Sequence, residues 1–361
     1  MKASYIVAIV IVVVVIAAGG AYYYTTLGTK SNPPPQTQLK VAAIFETPLD
    51  EPWNQIMYQA LEQAQTKLNI SFTYQESVSQ SQEPGVAVDL INSGYKLIIP
   101  DSWDYWNSTG DLAAQYTSTY FAEGSGLNSQ FGNNLMLFDS YLQESDYVAG
   151  YVSAMISNTS HIGIVSAYQS AGDVDDELNG FIAGAQAYNP HVNITITYIN
   201  EWYDPAAAKS AAQAQIAAGC DVIFGEREGV FQACTNSTGQ QVAVAFGQYF
   251  DETSEAPNVC AGSVVWNIYP MLSQMITSAE SGNFTTGAYN TTMKNGDTSF
   301  VWNPAFQSAC PAAYNASQTL IQQIEANQVF WGNQNITLYD GSVVNGSNVP
   351  LSIPNFNTPN P

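Results

Sequence analysis

Aromatic rings and carboxyl groups gather at a few points along this chain of 361 residues. Glu46 and Thr47 stand just ahead of Trp53 and Asn54; Ser102, Trp103, Asp104, Tyr105 and Trp106 form one unbroken run; Trp202 and Tyr203 precede Asp204 and Pro205. Glu226 with Arg227, Gln248 and Tyr249 with Asp251, and Trp266 with Asn267 complete the set. Five of the seven tryptophans fall in these clusters, which marks them as places where flat apolar surface is wanted. The chemistry this suits is recognition. An indole or phenol ring presents a large face at little rotamer cost, and a planar ligand laid on it gains roughly 1–3 kcal/mol per ring. Carboxylates beside it accept hydrogen bonds from ring N–H or sugar hydroxyl groups. The candidate ligand-binding residues are therefore Glu46, Thr47, Trp53, Asn54, Ser102, Trp103, Trp202, Glu226, Gln248, Tyr249, Asp251 and Trp266.

Simpler roles stand beside this one. A Trp can plug the rim of a domain, and Glu226 and Arg227 can pair with each other. Asp204 followed by Pro205 reads as a helix N-cap with proline in the first turn. The acidic stretch DVDDE at 173–177 reads as a solvated helix start favoured by the dipole.

Bond-making chemistry is not written into the chain. No Ser–His pairing, nucleophile elbow or phosphate-binding glycine loop is visible, and the two histidines, His161 and His191, fall at a strand start and in a loop. Neither a catalytic residue nor a cofactor is expected. Cys220, Cys234, Cys260 and Cys310 include no CxxC pair, so no metal site is expected. In an oxidising exterior the four would form one or two disulfides, with three connectivities open. Eight Lys and Arg against thirty Asp and Glu give a net charge of -22, which repels nucleic-acid backbones and anionic lipid headgroups. A small molecule is the expected partner, and nucleic acid is not.

The elements that must position these clusters follow a rhythm. KVAAIF reads as a buried strand, PWNQIMYQALEQAQTKL as an amphipathic helix, ISFTYQE as a strand, PGVAVDLINSG as a helix and YKLIIP as a buried strand, with NLMLFDSY (134–141) as one more. A second series repeats it: helix 143–157, strand HIGIVSAY, helix 175–188, strand VNITITYINEW, helix PAAAKSAAQAQIAAG, strand DVIFGE, a helix near 229–238, then strands VAVAFGQY and VCAGSVVWN. Alternation of this kind implies two α/β lobes, each a doubly wound, mostly parallel sheet with helices on both faces. Ligands bind beyond the carboxyl ends of such strands, where the aromatic clusters fall. The expected lobes are 39–142 with 268–300, and 143–267 with 301–335, followed by a tail at 336–361.

Ahead of the lobes, residues 5–24 carry no charge and are rich in Ile, Val and Ala. Twenty residues at about 1.5 Å each match a hydrocarbon core of roughly 30 Å, so 1–27 is expected to be an N-terminal transmembrane anchor or a signal segment. MKAS resembles the pilin-type signals of archaeal surface proteins, which are cut before the apolar helix, here between Ala3 and Ser4. The prolines of the 28–38 linker favour an extended spacer. This places the body at the cell surface, outside the cytoplasmic membrane. Asn-X-Ser/Thr triplets such as those at Asn69, Asn107 and Asn158 fit a glycosylated exterior.

Taken together, KVAAIFETPLDEPWNQ, ESVSQ, HIGIV followed by NGFIAGAQAYNP, NEWYDPAAAKSAA, AAGCDVIFGE and SVVWNIYP resemble the basic membrane protein family of solute-binding proteins, the purine-nucleoside-receptor type, over residues 40–304. The resemblance implies a two-lobed type I periplasmic-binding-protein fold that hands its ligand to the permease of an ABC transporter. It also implies that Trp53 and Trp202, one from each lobe, trap a purine between them, with Tyr203 packed behind the second. Glu46 stands where the family has an Asp that contacts the base, and Asn54 matches the Asn beside the first ring. The chain departs from the family at GQYFD, where Tyr249 replaces an acid and Asp251 remains, and at Trp266, which replaces a Lys. A lipid-bearing Cys near the amino terminus is also absent from the pattern. Fewer ribose contacts leave a free base or another flat ring open. The expected function is capture of a purine base or nucleoside by hinge closure; a ligand sensor or surface-assembly protein on the same fold is the alternative.

Overall fold

The computed structural model describes residues 38–126, 132–169, 172–332, 335–338 and 342–355. The expected membrane anchor, nearly all of the linker and the end of the tail lie outside the described residues. Among the described residues no helix is long and apolar enough to cross a membrane.

Short unbroken apolar runs become central strands, because a strand covered on both faces has no solvent side to make polar. The first sheet is built from β1 (Leu39–Phe45), α1 (Pro52–Lys67), β2 (Ile70–Gln75), α2 (Glu83–Asn92), β3 (Leu97–Asp101), α3 (Trp106–Gln115), β4 (Tyr120–Gly124) and β5 (Leu135–Phe138). Its strands run parallel in the spatial order β5-β4-β3-β1-β2. The second sheet follows with α4 (Gln143–Ile156), β6 (His161–Ser166), α5 (Gly172–Tyr188), β7 (Asn193–Tyr198), α6 (Pro205–Ala217), β8 (Val222–Gly225), β9 (Val244–Gly247) and β10 (Cys260–Trp266). The order is again the doubly wound one, β10-β9-β8-β6-β7. Each sheet thus changes winding direction beside its own first strand, which opens a crevice at the carboxyl ends. The chain then returns to the first sheet through α7 (Tyr269–Ser281) and β11 (Gly287–Ala288), and to the second through β12 (Thr298–Trp302), antiparallel to β10. Two α/β lobes with parallel sheets result, joined by three crossings.

The structure departs from the sequence reading in four places. α3 and β4 were not expected: WNSTGDLAAQ carries little helix propensity, and YFAEG is short and ends in a charge and a glycine. The helix near 229–238 is a single tight turn at Phe231–Ala233, because Gly229 at φ 116° and an Asn236 turn interrupt it. β12 starts at Thr298, so the segment assigned to the first lobe ends before residue 300. The acidic DVDDE stretch is not solvated: Asp173, Asp175, Asp176 and Glu177 are buried in the first turns of α5.

That burial has a steric cause. α4 and α5 touch backbone to backbone, because a β-carbon at Gly150 would run into the carbonyl oxygen of Phe181, one at Gly184 into that of Tyr147, and one at Gly180 into the main chain of Gln143. The opposite case is Gly85 in α2, whose β-carbon would meet nothing. Replacing Gly184 by Val should destabilise the protein by about 1–3 kcal/mol through overpacking, whereas Gly85→Ala should be neutral or stabilising by up to about 1 kcal/mol. Urea denaturation of the two variants checks this, and equal midpoints would refute the close-seam account.

Candidate functional site

The site is assembled from the carboxyl ends of both sheets. β1 delivers Glu46 and Thr47, and the turn after it ends at Glu51, whose carboxylate caps α1 by accepting the Asn54 amide at 3.1 Å. Pro52 occupies the first turn, so the cap fixes where Trp53 and Asn54 stand. β3 ends in Asp101, followed by Ser102 and Trp103, and β4 leads to Ser125. From the second lobe come Asp173 at the start of α5, Trp202 ahead of α6, Arg227 after β8 and Tyr249 after β9. Asp204 caps α6 by accepting the Ala207 amide at 2.9 Å, which anchors the Trp202 turn from behind. Thirteen of these residues line one cavity between the two lobes.

On the first wall Trp53 is fixed on several sides. Its indole N–H donates to Asp101 Oδ1 at 2.7 Å, and its ring packs against Trp266 at 4.9 Å and edge-on against Tyr249 at 5.8 Å. Ser102 donates a short hydrogen bond to Glu46. Asn54 is spent on its own loop, donating to Thr47 Oγ1 at 2.7 Å and to the Pro48 carbonyl at 2.9 Å. Burial pushes Glu46 and Glu51 up to about 7 and Asp101 to about 8, although Ser102, Arg227 and Trp53 respectively pull each back.

On the second wall one guanidinium organises everything. Arg227 donates to the Trp202 carbonyl at 3.0 Å, to the Tyr249 hydroxyl at 2.9 Å and to Glu226, and it reaches across the cleft to Glu51 at 3.5 Å. Burial lowers its pKa, but Glu226, Tyr249 and Glu51 outweigh that and hold it charged. Its Cζ lies 5.9 Å from the centre of the Trp202 ring, within cation–π range. Trp202 is braced by Tyr168 at 4.9 Å, edge-on, and its N–H donates across the cleft to Asp104 at 3.2 Å.

Residues 39–297 match the family model described as Bmp, ABC transporter substrate-binding protein PnrA-like. The chain belongs to the Bmp family. Among its relatives, a purine-binding protein of Brucella abortus is 26% identical over 65% of this chain and 67% of that protein. An ABC transporter nucleoside-binding protein of Lactococcus lactis is 24% identical over 72% of this chain and 81% of its own. A putative ABC transporter glucose-binding protein of Haloferax volcanii is 28% identical over 43% of this chain, which spans only 39% of that protein. An ABC-transporter solute-binding protein from Aeropyrum pernix superposes with a TM-score of 0.72 at 17% identity, covering 80% of this chain and 92% of that one. This last likeness concerns the fold.

Within this Bmp-family fold the structure brings Glu46, Thr47, Trp53, Asn54, Ser102, Trp103, Trp202 and Tyr249 to one cavity. Four other candidates are not in its lining. Glu226 sits behind, accepting from Arg227 and from the Ala167 amide; Trp266 backs the Trp53 ring; Gln248 is buried beneath, its main-chain N–H donating to Glu252. Asp251 is exposed and holds a turn through Thr253, because the chain turns away after Tyr249. Tyr168, not Tyr203, packs on Trp202; Tyr203 lies toward Asp50 and Glu228. All four cysteines are free, which corrects the expected disulfides. Cys220, Cys234 and Cys260 pack as small apolar side chains in one cluster, while Cys310 sits at a different place, the start of α9 (Pro311–Glu325), beyond α8 (Pro304–Ala309). Among the described residues no acid, His or Cys group is arranged to hold a metal.

Glu51, Asp101, Ser125, Asp173 and Arg227 line the cavity without having been among the candidates. Arg227 next to Glu226 was the visible signal; the caps and the last residue of β3 gave none. The raised carboxyls carry a pH signature. Glu51 and Asp101 rise from ordinary values of 4.5 and 3.8, so between those values and about 7 to 8 the folded chain holds protons that the unfolded chain has released. Stability is therefore greatest in acid and falls as pH rises through that window. Thermal melting followed from about pH 5 to about pH 8 should show Tm decreasing; a Tm that rises across the same interval would refute the assignment.

Proposed function

We propose that this chain is the extracellular capture component of an ABC importer, binding a purine base or nucleoside between Trp53 and Trp202. The observation that carries the reading is that these two indoles, one from each lobe, line the same cavity while their N–H groups are tied to Asp101 and Asp104. With the N–H edges tied, Trp266 behind one ring and Arg227 against the other, the apolar surface that remains on each ring is what is offered to a ligand. The names of the Brucella and Lactococcus relatives, purine-binding and nucleoside-binding, point the same way. Capture works by closure about the three crossings. A ligand that meets both walls favours the form in which they are together, and that joined surface is what a permease can distinguish. The apolar segment at 5–24 tethers the body to the outside of the membrane.

A thermal-shift screen of purines, nucleosides, flavins and sugars tests this. Purines or nucleosides should raise Tm, and Trp53→Ala or Trp202→Ala should weaken binding of the same compound by about 5- to 150-fold, the value of one stacked ring. Unchanged affinity in both variants would reject the clamp, and stabilisation by sugars alone would reject the ligand class.

A further inference from the structure

Two carboxyl oxygens on opposite walls of the cavity are left without a hydrogen bond. Asp101 ends β3 on the first lobe and is 2% exposed; its Oδ1 accepts from Trp53, and its Oδ2 has no partner. Asp173 opens α5 on the second lobe and is 3% exposed; the Val174 amide and Ser125 hydroxyl lie against its carboxyl, and its Oδ1 has no partner. Both residues line the cavity. Buried polar atoms in native proteins are almost always satisfied, so two such residues lining one cavity point to a ligand that supplies the missing bonds.

The surroundings make the pair unlike. Room for the Asp101 carboxyl depends on Gly124, its register neighbour on β4, where any β-carbon would collide with Oδ1 and crowd Phe138. No cation lies against Asp101, and the nearby charged group is another acid, Glu51. Such a carboxyl keeps its proton at neutral pH, and Oδ2 can donate. Asp173 stands in the first turn of a 17-residue helix, whose dipole favours a negative charge and hence an acceptor.

We propose that Asp101 and Asp173 are the specificity pair of the cleft, one donating and one accepting, so that the site selects flat neutral heterocycles whose edge joins a donor to an acceptor. Flat rings of the same size with only one of the two, such as indole or quinoline, are rejected. The inference rests on the aromatic clamp proposed above and goes beyond it by assigning the polar selection to residues outside the rings.

Calorimetric titration of the full chain with hypoxanthine, adenine, indole and quinoline tests the pair. Wild type should bind at least one of the two purines about tenfold or more tighter than the two one-sided rings. Asp101→Asn keeps both the Trp53 bond and a donor, so it should bind within about threefold of wild type, whereas Asp101→Leu should lose about tenfold. Asp173→Asn turns an N–H toward the ligand and should lose a similar factor. If Asp101→Leu and Asp173→Asn both keep wild-type affinity and preference while Trp202→Ala loses binding, the pair is overturned and the clamp survives. If wild type binds none of the four rings, both fall.

Discussion

A single buried guanidinium ties the site together. Arg227 is 6% exposed and sits among carboxyl, phenol and carbonyl oxygens. A buried charge of this kind is tolerated only when its surroundings compensate for lost hydration, and removing one partner of such a group is far more damaging than its net contribution suggests. Glu226 provides most of that compensation from the same lobe, while Glu51 reaches it from the other. The position of Trp202 depends on the same group, since its carbonyl is one of the acceptors. Ring placement, lobe contact and charge balance therefore share one residue.

Around that cation the interior is acidic to an unusual degree. Asp101, Asp139, Asp146, Asp173, Asp176 and Glu177 are all buried, and burial raises the pKa of each. One base cannot neutralise so many carboxylates, so burial favours their protonated forms in the folded state. A neutral carboxyl has both a donor and an acceptor, which lets a protein of few bases build polar contacts without ion pairs. Glu177 shows how such a group is used: it accepts from Ser140 at 2.6 Å and lies 3.2 Å from the Tyr249 hydroxyl.

The parts of the molecule that could be read from sequence are those where one physical demand leaves one pattern. Strands covered on both faces appear as unbroken apolar runs, so KVAAIF, HIGIVS and VIFG announced the two sheets. Trp202 was legible because Asp204 and Pro205 state where the next helix begins. Asp101 was not, since the apolar run ends at Pro100 and the following Asp looks like any loop residue. Asp173 was misread for a related reason: an acidic helix start has the same composition whether water or a second helix covers it, and the decisive glycines lie in α4 and further along α5. The cysteines carry the same lesson, because spacing shows which thiols exist and only packing shows that Cys220, Cys234 and Cys260 serve as apolar filler. α3 and β4 escaped because their order is imposed by neighbours rather than by propensity.

The three crossings have a mechanical consequence. They follow β5, β10 and β11, and β11 pairs with β5 on the first sheet while β12 pairs with β10 on the second, so the third crossing starts beside the strand that leads into the first and ends beside the strand that leads into the second. Any opening of the proposed cleft would have to bend all three segments together, so the walls carrying Trp53 and Trp202 would move as two bodies rather than residue by residue.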